Sequence, residues 1–393
     1  MKEFRTAALI CECNPFHNGH AYIFSEIRKH ADTVVAIQSG NFVQRGEAAV
    51  FDKYARARAV LAAGADLVLE LPFPWCSASA EYFATAGVLL AASVGAEALF
   101  FGAADGDVSR YRNAARILAA ADDSALPYDS SLPAAAAREQ LLREICGERM
   151  ASVLRTPNDI LAVEYCKAIL ALGVSLVPFP VPRVSEWNGL PLSGATLLRT
   201  RLHSEGIAAL HDAVPGEVEQ IFREESSHGR IASLTALAEM EFLHLRRIRC
   251  VSYSQTAESG GGVLDRLVAA AASSRSAEET FSRAATKKYT NARFRRAALF
   301  SLSDVLPELL RAAPAYSVLL AANARGCRLL AGMRRRPSLP ILTKPADFSA
   351  LSPDASAQYG FLRRADELYT LCLRERLPAG DYLRRTPFIS VDS

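Results

Sequence analysis

Tryptophan occurs twice and methionine four times in these 393 residues, and none of the eight cysteines stands in a C-x-x-C pair. Without such pairs, or the dense spacing of a small secreted frame, the sequence offers neither a disulfide scaffold nor a zinc ribbon. Cys11-Glu12-Cys13 is the nearest approach to a ligand cluster. Partner ligands at zinc spacing are missing, so buried thiols in a reducing compartment are expected and no metal site is assigned. The opening MKEFRTAALIC is too short an apolar run for a signal peptide, and no stretch approaches a membrane span free of charge. A soluble cytoplasmic protein with no membrane partner is expected. Charge is scarce as well, at 22% of residues against 50% hydrophobic, which argues against disorder. The length exceeds one ordinary core and predicts two domains, residues 1–205 and 206–393.

A net charge of +3 conceals an asymmetry. Glu241 to Lys344 holds 18 Lys and Arg against 7 Asp and Glu, or +11, leaving 27 against 35, or −8, for the remainder. One part of the molecule is therefore built to meet a polyanion.

The chain is organised around LICECNPFHNGHAY, Leu9 to Tyr22. An apolar β-type run, Thr6 to Ile10, is broken by Asn14-Pro15, and His17-Asn18-Gly19-His20 falls where a helix should start. Two imidazoles three positions apart at a helix N-terminus both face one anion. Orphan backbone N–H groups and the helix dipole are expected to face it too. Gly19 is expected to leave room for close approach by the ligand.

This stretch resembles the H-x-G-H signature of the nucleotidyltransferase superfamily. The fuller string C-N-P-F-H-N-G-H-A-Y is similar to the tRNA(Met) cytidine acetate ligase family, departing from it chiefly at Cys13, where tyrosine is usual. The resemblance implies an ATP site formed by Leu9, Ile10, Cys11, Glu12, Cys13, Asn14, Pro15, Phe16, His17, Asn18, Gly19, His20, Ala21 and Tyr22, with His17 and His20 catalytic.

The first half continues as strand, helix, strand. Thr33 to Ile37 is a second buried strand, Ser39 to Val50 a polar loop offering Gln44, Arg45 and Glu47, and Asp52 to Ala63 a helix. Further strands are read at Ala65 to Leu71, Ala96 to Phe101 and Leu176 to Val181. The order predicts an α/β fold, a Rossmann-like nucleotidyltransferase domain with a parallel doubly wound sheet, followed by a mainly α-helical domain. Ligands of such sheets sit beyond the carboxyl ends of the strands, so Gly102 should lie beside the histidine turn. The resemblance adds Asn158, Arg183 and Val184 as nucleotide-contacting positions. On their own, the first reads as a helix-cap amide and the second as a surface cation. Ser193-Gly194-Ala195-Thr196 to Arg199 resembles the superfamily's I-S-x-T-x-I-R signature, in which Thr196 and Arg199 would hold the β- and γ-phosphates. Gly194 replaces the serine common there, and Ala103-Ala104 replaces the Ser-Glu that usually follows Gly102, with Asp105 or Asp107 as substitutes for the acid.

From Ile207 onward the pattern changes to helices and loops, without the strand alternation of the first half. Basic clusters occur at His244–Arg249, at Lys287–Arg296 and, with five arginines, at Arg325–Arg336. The middle one interleaves Tyr289 and Phe294 with cations, a composition suited to phosphates and an unstacked base, and it resembles the family's K-R-Y-T-x-x-R-x-x-R-A segment. Arg246, Arg247, Lys287, Lys288, Tyr289, Arg293, Arg295 and Arg296 are the expected tRNA contacts. The resemblance thus implies ATP-dependent activation of acetate as acetyl-adenylate, with magnesium accompanying ATP. Transfer to N4 of the wobble cytidine, position 34, of elongator tRNA(Met) would follow. A small-molecule adenylyltransferase of cofactor synthesis and a non-catalytic ATP- and RNA-binding protein stay open. An aminoacyl-tRNA synthetase is disfavoured, since no K-M-S-K-S string follows the histidines.

Overall fold

The computed structural model describes residues 2–104, 106–121, 134–250, 255–333 and 339–390. Five parallel strands form its centre: Phe4–Cys11, Ala31–Ser39, Leu67–Leu71, Ala98–Ala103 and Val177–Pro182. Along the sheet they run third, second, first, fourth, fifth. Parallel neighbours require crossovers and covered faces. The helices Asn18–His30, Lys53–Ala62, Ala80–Ser93 and Pro157–Leu172 supply them. Side chains alternate accordingly between two apolar clusters. Ala8, Ile10, Val35, Ile37 and Leu69 face one way, and Ala7, Leu9, Val34, Ala36 and Val68 face the other. The doubly wound reading agrees with this arrangement.

The fifth strand explains its own sequence. Val177 and Arg183 donate their N–H groups to Glu97 and Ala103 of the neighbouring chain segment. The alternate positions, Pro178, Pro180 and Pro182, therefore fall on the free side, where proline's missing donor costs nothing.

The mainly helical part beyond Ile207 also carries strands that its sequence pattern does not reveal. Ser317–Ala322 joins the sheet antiparallel to Leu67–Leu71, and Ile341–Leu342 and Phe388–Ile389 each pair with it in parallel. SVLLAA is a serine and five apolar residues set between the helices Pro307–Arg311 and Ala324–Met333. A run that short is indistinguishable from a piece of buried helix by periodicity. Its effect is to cover an edge of the parallel sheet. The helices Ala236–Ile248, Val263–Ser273 and Asn291–Leu302 close over a third apolar cluster that contains Leu245, Leu267 and Phe294. Among the described residues no helix is long and apolar enough to cross a membrane. The segment 122–132, Asp105 and the arginines at 334–336 lie outside the described residues.

Candidate active site

Strand order reverses between Phe4–Cys11 and Ala98–Ala103, and a cleft of about 420 Å³ opens at that switch point. Glu12, Asn14, His17, Gly19, His20, Tyr22, Gly102, Asn158, Arg183, Val184, Thr196 and Arg199 all line it. Segments nearly two hundred residues apart in sequence thus converge on one wall-to-wall site. Gly102 lies beside the histidine turn, as expected. Leu9, Ile10, Cys11, Cys13, Pro15, Phe16, Asn18 and Ala21 are buried and do not line the cleft. Asn18 is turned away, its side-chain amide donating to the carbonyl of Asp212 at 2.8 Å.

The helix start departs from expectation. His17 Nδ1 accepts the Gly19 N–H at 3.0 Å, and His20 Nδ1 accepts the His17 N–H at 3.2 Å. The N–H groups of Asn18, His20 and Ala21 go to the carbonyls of Ala213, His17 and His17. The orphan donors expected to meet an anion are therefore already paired, because the imidazoles act as the caps. With both Nδ1 atoms accepting, the neutral rings carry their protons on Nε2. Burial, reinforced by Arg183, lowers His17 to about 4. Burial, His17 and Arg183 push His20 well below its ordinary value. The pair is neutral at pH 7 and offers N–H donors rather than charges. Gly19 also has a different reason from the expected one. A Cβ there would stand 2.8 Å from His17 Cε1, so the glycine makes space for the ring.

A second helix start is the open one. Ala195–Glu205 begins at Gly194 with no side-chain cap and no acid in its first turn, and Ser193, Gly194 and Thr196 face the cleft. Replacing the usual serine with glycine leaves this terminus receptive to an anion. Arg199 Nη1 donates to the Asn14 carbonyl at 2.8 Å and Nη2 to Thr196 Oγ1 at 3.3 Å, tying the two signatures together. On the opposite wall Thr156 caps Pro157–Leu172. The next acid, Asp159, accepts the Ala104 N–H at 2.9 Å and the Tyr111 hydroxyl at 2.8 Å. That joins Asn158 to the end of the strand bearing Gly102, beside which the Arg183 N–H meets the Ala103 carbonyl. Asp107, considered as a substitute acid, accepts the Ser109 N–H at the start of its own helix.

The loop Ser39–Val50 forms the remaining side through Val43, Arg45 and Glu47. Gln44 contributes its backbone, donating N–H to Glu12 Oε1 at 2.6 Å. The fully buried Arg56 guanidinium donates to the carbonyls of Phe51, Glu12, Ser39 and Gly40. It fixes both the loop and the end of the first strand. In sequence this arginine is one cation of an ordinary helix, with no signal of its role.

The profile of the family described as HIGH Nucleotidyl Transferase matches residues 4–380. Proteins named tRNA(Met) cytidine acetate ligase are similar over most of their length. That of Acetivibrio thermocellus is 30% identical over 94% of this chain and 95% of its own. That of Syntrophotalea carbinolica is 32% identical over 86% and 84%. The chain belongs to the tRNA(Met) cytidine acetate ligase family. Among solved structures, Thermotoga maritima TmcAL bound with alpha-thio ATP superposes with a TM-score of 0.89 at 27% identity, covering 99% of both chains.

In this member of the ligase family the basic residues divide by partner. Arg246 lies over Phe242 at 4.7 Å and donates to the carbonyls of Ala271 and Ser274. Arg296 pairs with Glu258 at 3.1 Å, both largely buried. Lys288 and Arg293 flank the Tyr289 ring at 5.5 and 4.5 Å, and the Tyr289 hydroxyl donates to Gly261. Arg295 lies over Phe281 and 3.9 Å from Glu47 of the cleft loop. Arg247 and Lys287 are exposed. Phe294, read as a stacking ring, is 1% exposed in the third apolar cluster and has no face to offer a base. Among the described residues no group of three or more His, Cys, Asp or Glu is placed to hold a metal.

Proposed function

We propose that this protein activates acetate with ATP as acetyl-adenylate and transfers the acetyl group to N4 of the wobble cytidine of elongator tRNA(Met) in the cytoplasm. The observation that carries the reading is the convergence of the two histidines, Asn158, Arg183, Thr196 and Arg199 on one cleft at the sheet's switch point. The relatives' names supply acetate, cytidine and tRNA(Met).

ATP binds with its triphosphate between the histidine turn and the uncapped start of Ala195–Glu205. The acetate carboxylate attacks the α-phosphorus and pyrophosphate leaves. His17 and His20 present Nε2–H to the charge that grows on the α-phosphoryl and bridging oxygens. Each preorganised donor of this kind is worth about 10² to 10³ in rate. Arg183 and Arg199 neutralise the departing pyrophosphate. A magnesium ion would accompany the triphosphate and supply further neutralisation of its charge. The helical half, through Arg247, Lys287, Lys288, Tyr289, Arg293 and Arg295, holds the tRNA.

The test is to incubate pure protein with ATP, acetate and tRNA(Met), then digest and analyse the nucleosides. N4-acetylcytidine at position 34 is the expected product, and its absence overturns the assignment. A dinucleotide product would instead identify a small-molecule adenylyltransferase.

A further inference from the structure

Forming an amide from a cytosine amine obliges one proton to leave a weakly basic nitrogen, so the transfer step needs a proton acceptor. The acidic residues lining the cleft are Glu12 and Glu47. Glu47 faces Arg295 at 3.9 Å. Glu12 stands one residue beyond the first strand, held from two directions. Its main-chain carbonyl accepts from Arg56 Nη1 at 2.6 Å, and its Oε1 accepts the Gln44 N–H at 2.6 Å. Among the described residues Oε2 has no hydrogen-bond partner.

The cleft has two electrostatic ends. His17 and His20 are acted on by Arg183, whereas Glu12 is acted on by Arg56, Arg199 and Arg45. The Glu12 end adjoins the basic helix Asn291–Leu302. A Cβ on Gly46, in the loop between them, would stand 2.6 Å from the Arg296 nitrogen. A polyanion held on that helix would present its reactive base beside Glu12, and the triphosphate would lie between the histidines and Arg199.

We propose that Glu12 is the proton acceptor for the attacking amine, an inference that rests on the ligase reading above. The N4 lone pair attacks the acetyl carbonyl carbon and the N–C bond forms. The N4 proton passes to Glu12 Oε2. The bond from that carbon to the phosphate oxygen breaks, and AMP leaves with the electron pair. Burial raises the Glu12 pKa, opposed by the Gln44 N–H, Arg56, Arg199 and Arg45. That makes it a stronger base than a surface carboxylate. Its charge also acts on Tyr165 and Cys13.

The experiment uses the full-length protein and its Glu12→Gln and Glu12→Asp variants. Acetate-dependent exchange of labelled pyrophosphate into ATP reads activation, and single-turnover transfer from preformed acetyl-adenylate to tRNA(Met) reads the second step. Glu12→Gln keeps an acceptor for the Gln44 N–H but cannot take a proton. It is expected to slow transfer about 10²-fold more than exchange and to flatten the acid limb of the transfer pH profile, with Glu12→Asp restoring part of both. An equal fall in both steps, an unchanged transfer rate, or a defect in exchange alone that magnesium relieves would overturn the proposal. If wild-type protein performs no acetate-dependent exchange, the ligase reading itself fails, and the proposal goes with it.

Discussion

The rings of His17 and His20 lie with centroids 3.8 Å apart and planes tilted by 31°, and each gives its Nδ1 to a backbone N–H of the same helix turn. The arrangement transmits rather than exposes the positive end of the helix. Backbone donors polarise Nδ1, and Nε2–H presents the effect to the cleft. Burial and the Arg183 guanidinium hold both pKa values down, and the His17 ring lowers that of His20 further.

A pH dependence follows with a definite sign. His17 is neutral in the folded protein down to about 4, whereas in the unfolded chain it takes a proton near 6.5. The unfolded state binds more protons in that window, so stability falls as pH drops from 6.5 toward 4, by about 3 kcal/mol from this residue. Urea titrations of wild type and His17→Asn at pH 7 and pH 5 check this, and the variant should lose less stability between the two. Nitrogen-15 spectra at pH 7 should show Nε2 protonated and Nδ1 bare in both rings.

Gly19→Ala tests the packing beneath the pair. The added methyl meets the His17 ring at 2.8 Å, and the ring, not the backbone, must yield. We expect at most about 1 kcal/mol of lost stability, because alanine favours helix over glycine. Loss of the His17 donor geometry should slow pyrophosphate exchange at least tenfold, part of the range for one preorganised donor. Thermal melts together with exchange rates separate the two effects.

How legible the molecule was in its sequence varied with the distance over which each signal acts. The five parallel strands and the histidine turn are local patterns, apolar runs and a glycine-bearing helix start, and they stand where the sequence puts them. Gly102 follows from its place at the carboxyl end of a parallel strand, whereas Asn158, Arg183 and Thr196 carry no local signal that would join them, and only the family motifs did so. Ser317–Ala322 was missed because its partner lies some 250 residues away. Phe294 was misread because composition alone does not reveal which side of a helix is buried. The role of Arg56 consists entirely of bonds to carbonyls, which no side-chain pattern encodes.

Lys53 joins the cleft loop to the last long helix, Pro353–Cys372. Its Nζ lies 3.0 Å from Glu70 and 2.7 Å from Asp366, whose other oxygen accepts from Asn41 at 2.9 Å. Burial opposes the lysine's charge, but Asp366 and Glu70 outweigh it and raise its pKa. Lys53→Met would leave two buried carboxyls without their cation, at a cost of about 3 to 5 kcal/mol. Removing both acids with the lysine, as Lys53→Met with Glu70→Gln and Asp366→Asn, should recover part of that loss. Denaturant midpoints of the single and triple variants decide it.

The basic residues make a prediction that composition could not. Arg296 donates to Glu258 Oε2, while Oε1 of that glutamate accepts the Ser79 N–H at 3.1 Å. Arg296→Ala therefore strands a largely buried carboxylate and should lower stability by about 3 kcal/mol, leaving the salt dependence of tRNA binding nearly unchanged. Lys287 is exposed, with no ion pair or hydrogen bond among the described residues. A phosphate contact from it releases about one counterion, so Lys287→Ala should reduce the slope of log affinity against log salt by about one, with little effect on melting. Filter binding across a salt series, run beside thermal melts, places the two variants on opposite axes. An unchanged slope for Lys287→Ala would remove that side chain from the tRNA surface and shift the contact toward Lys288 and Arg293 around the Tyr289 ring.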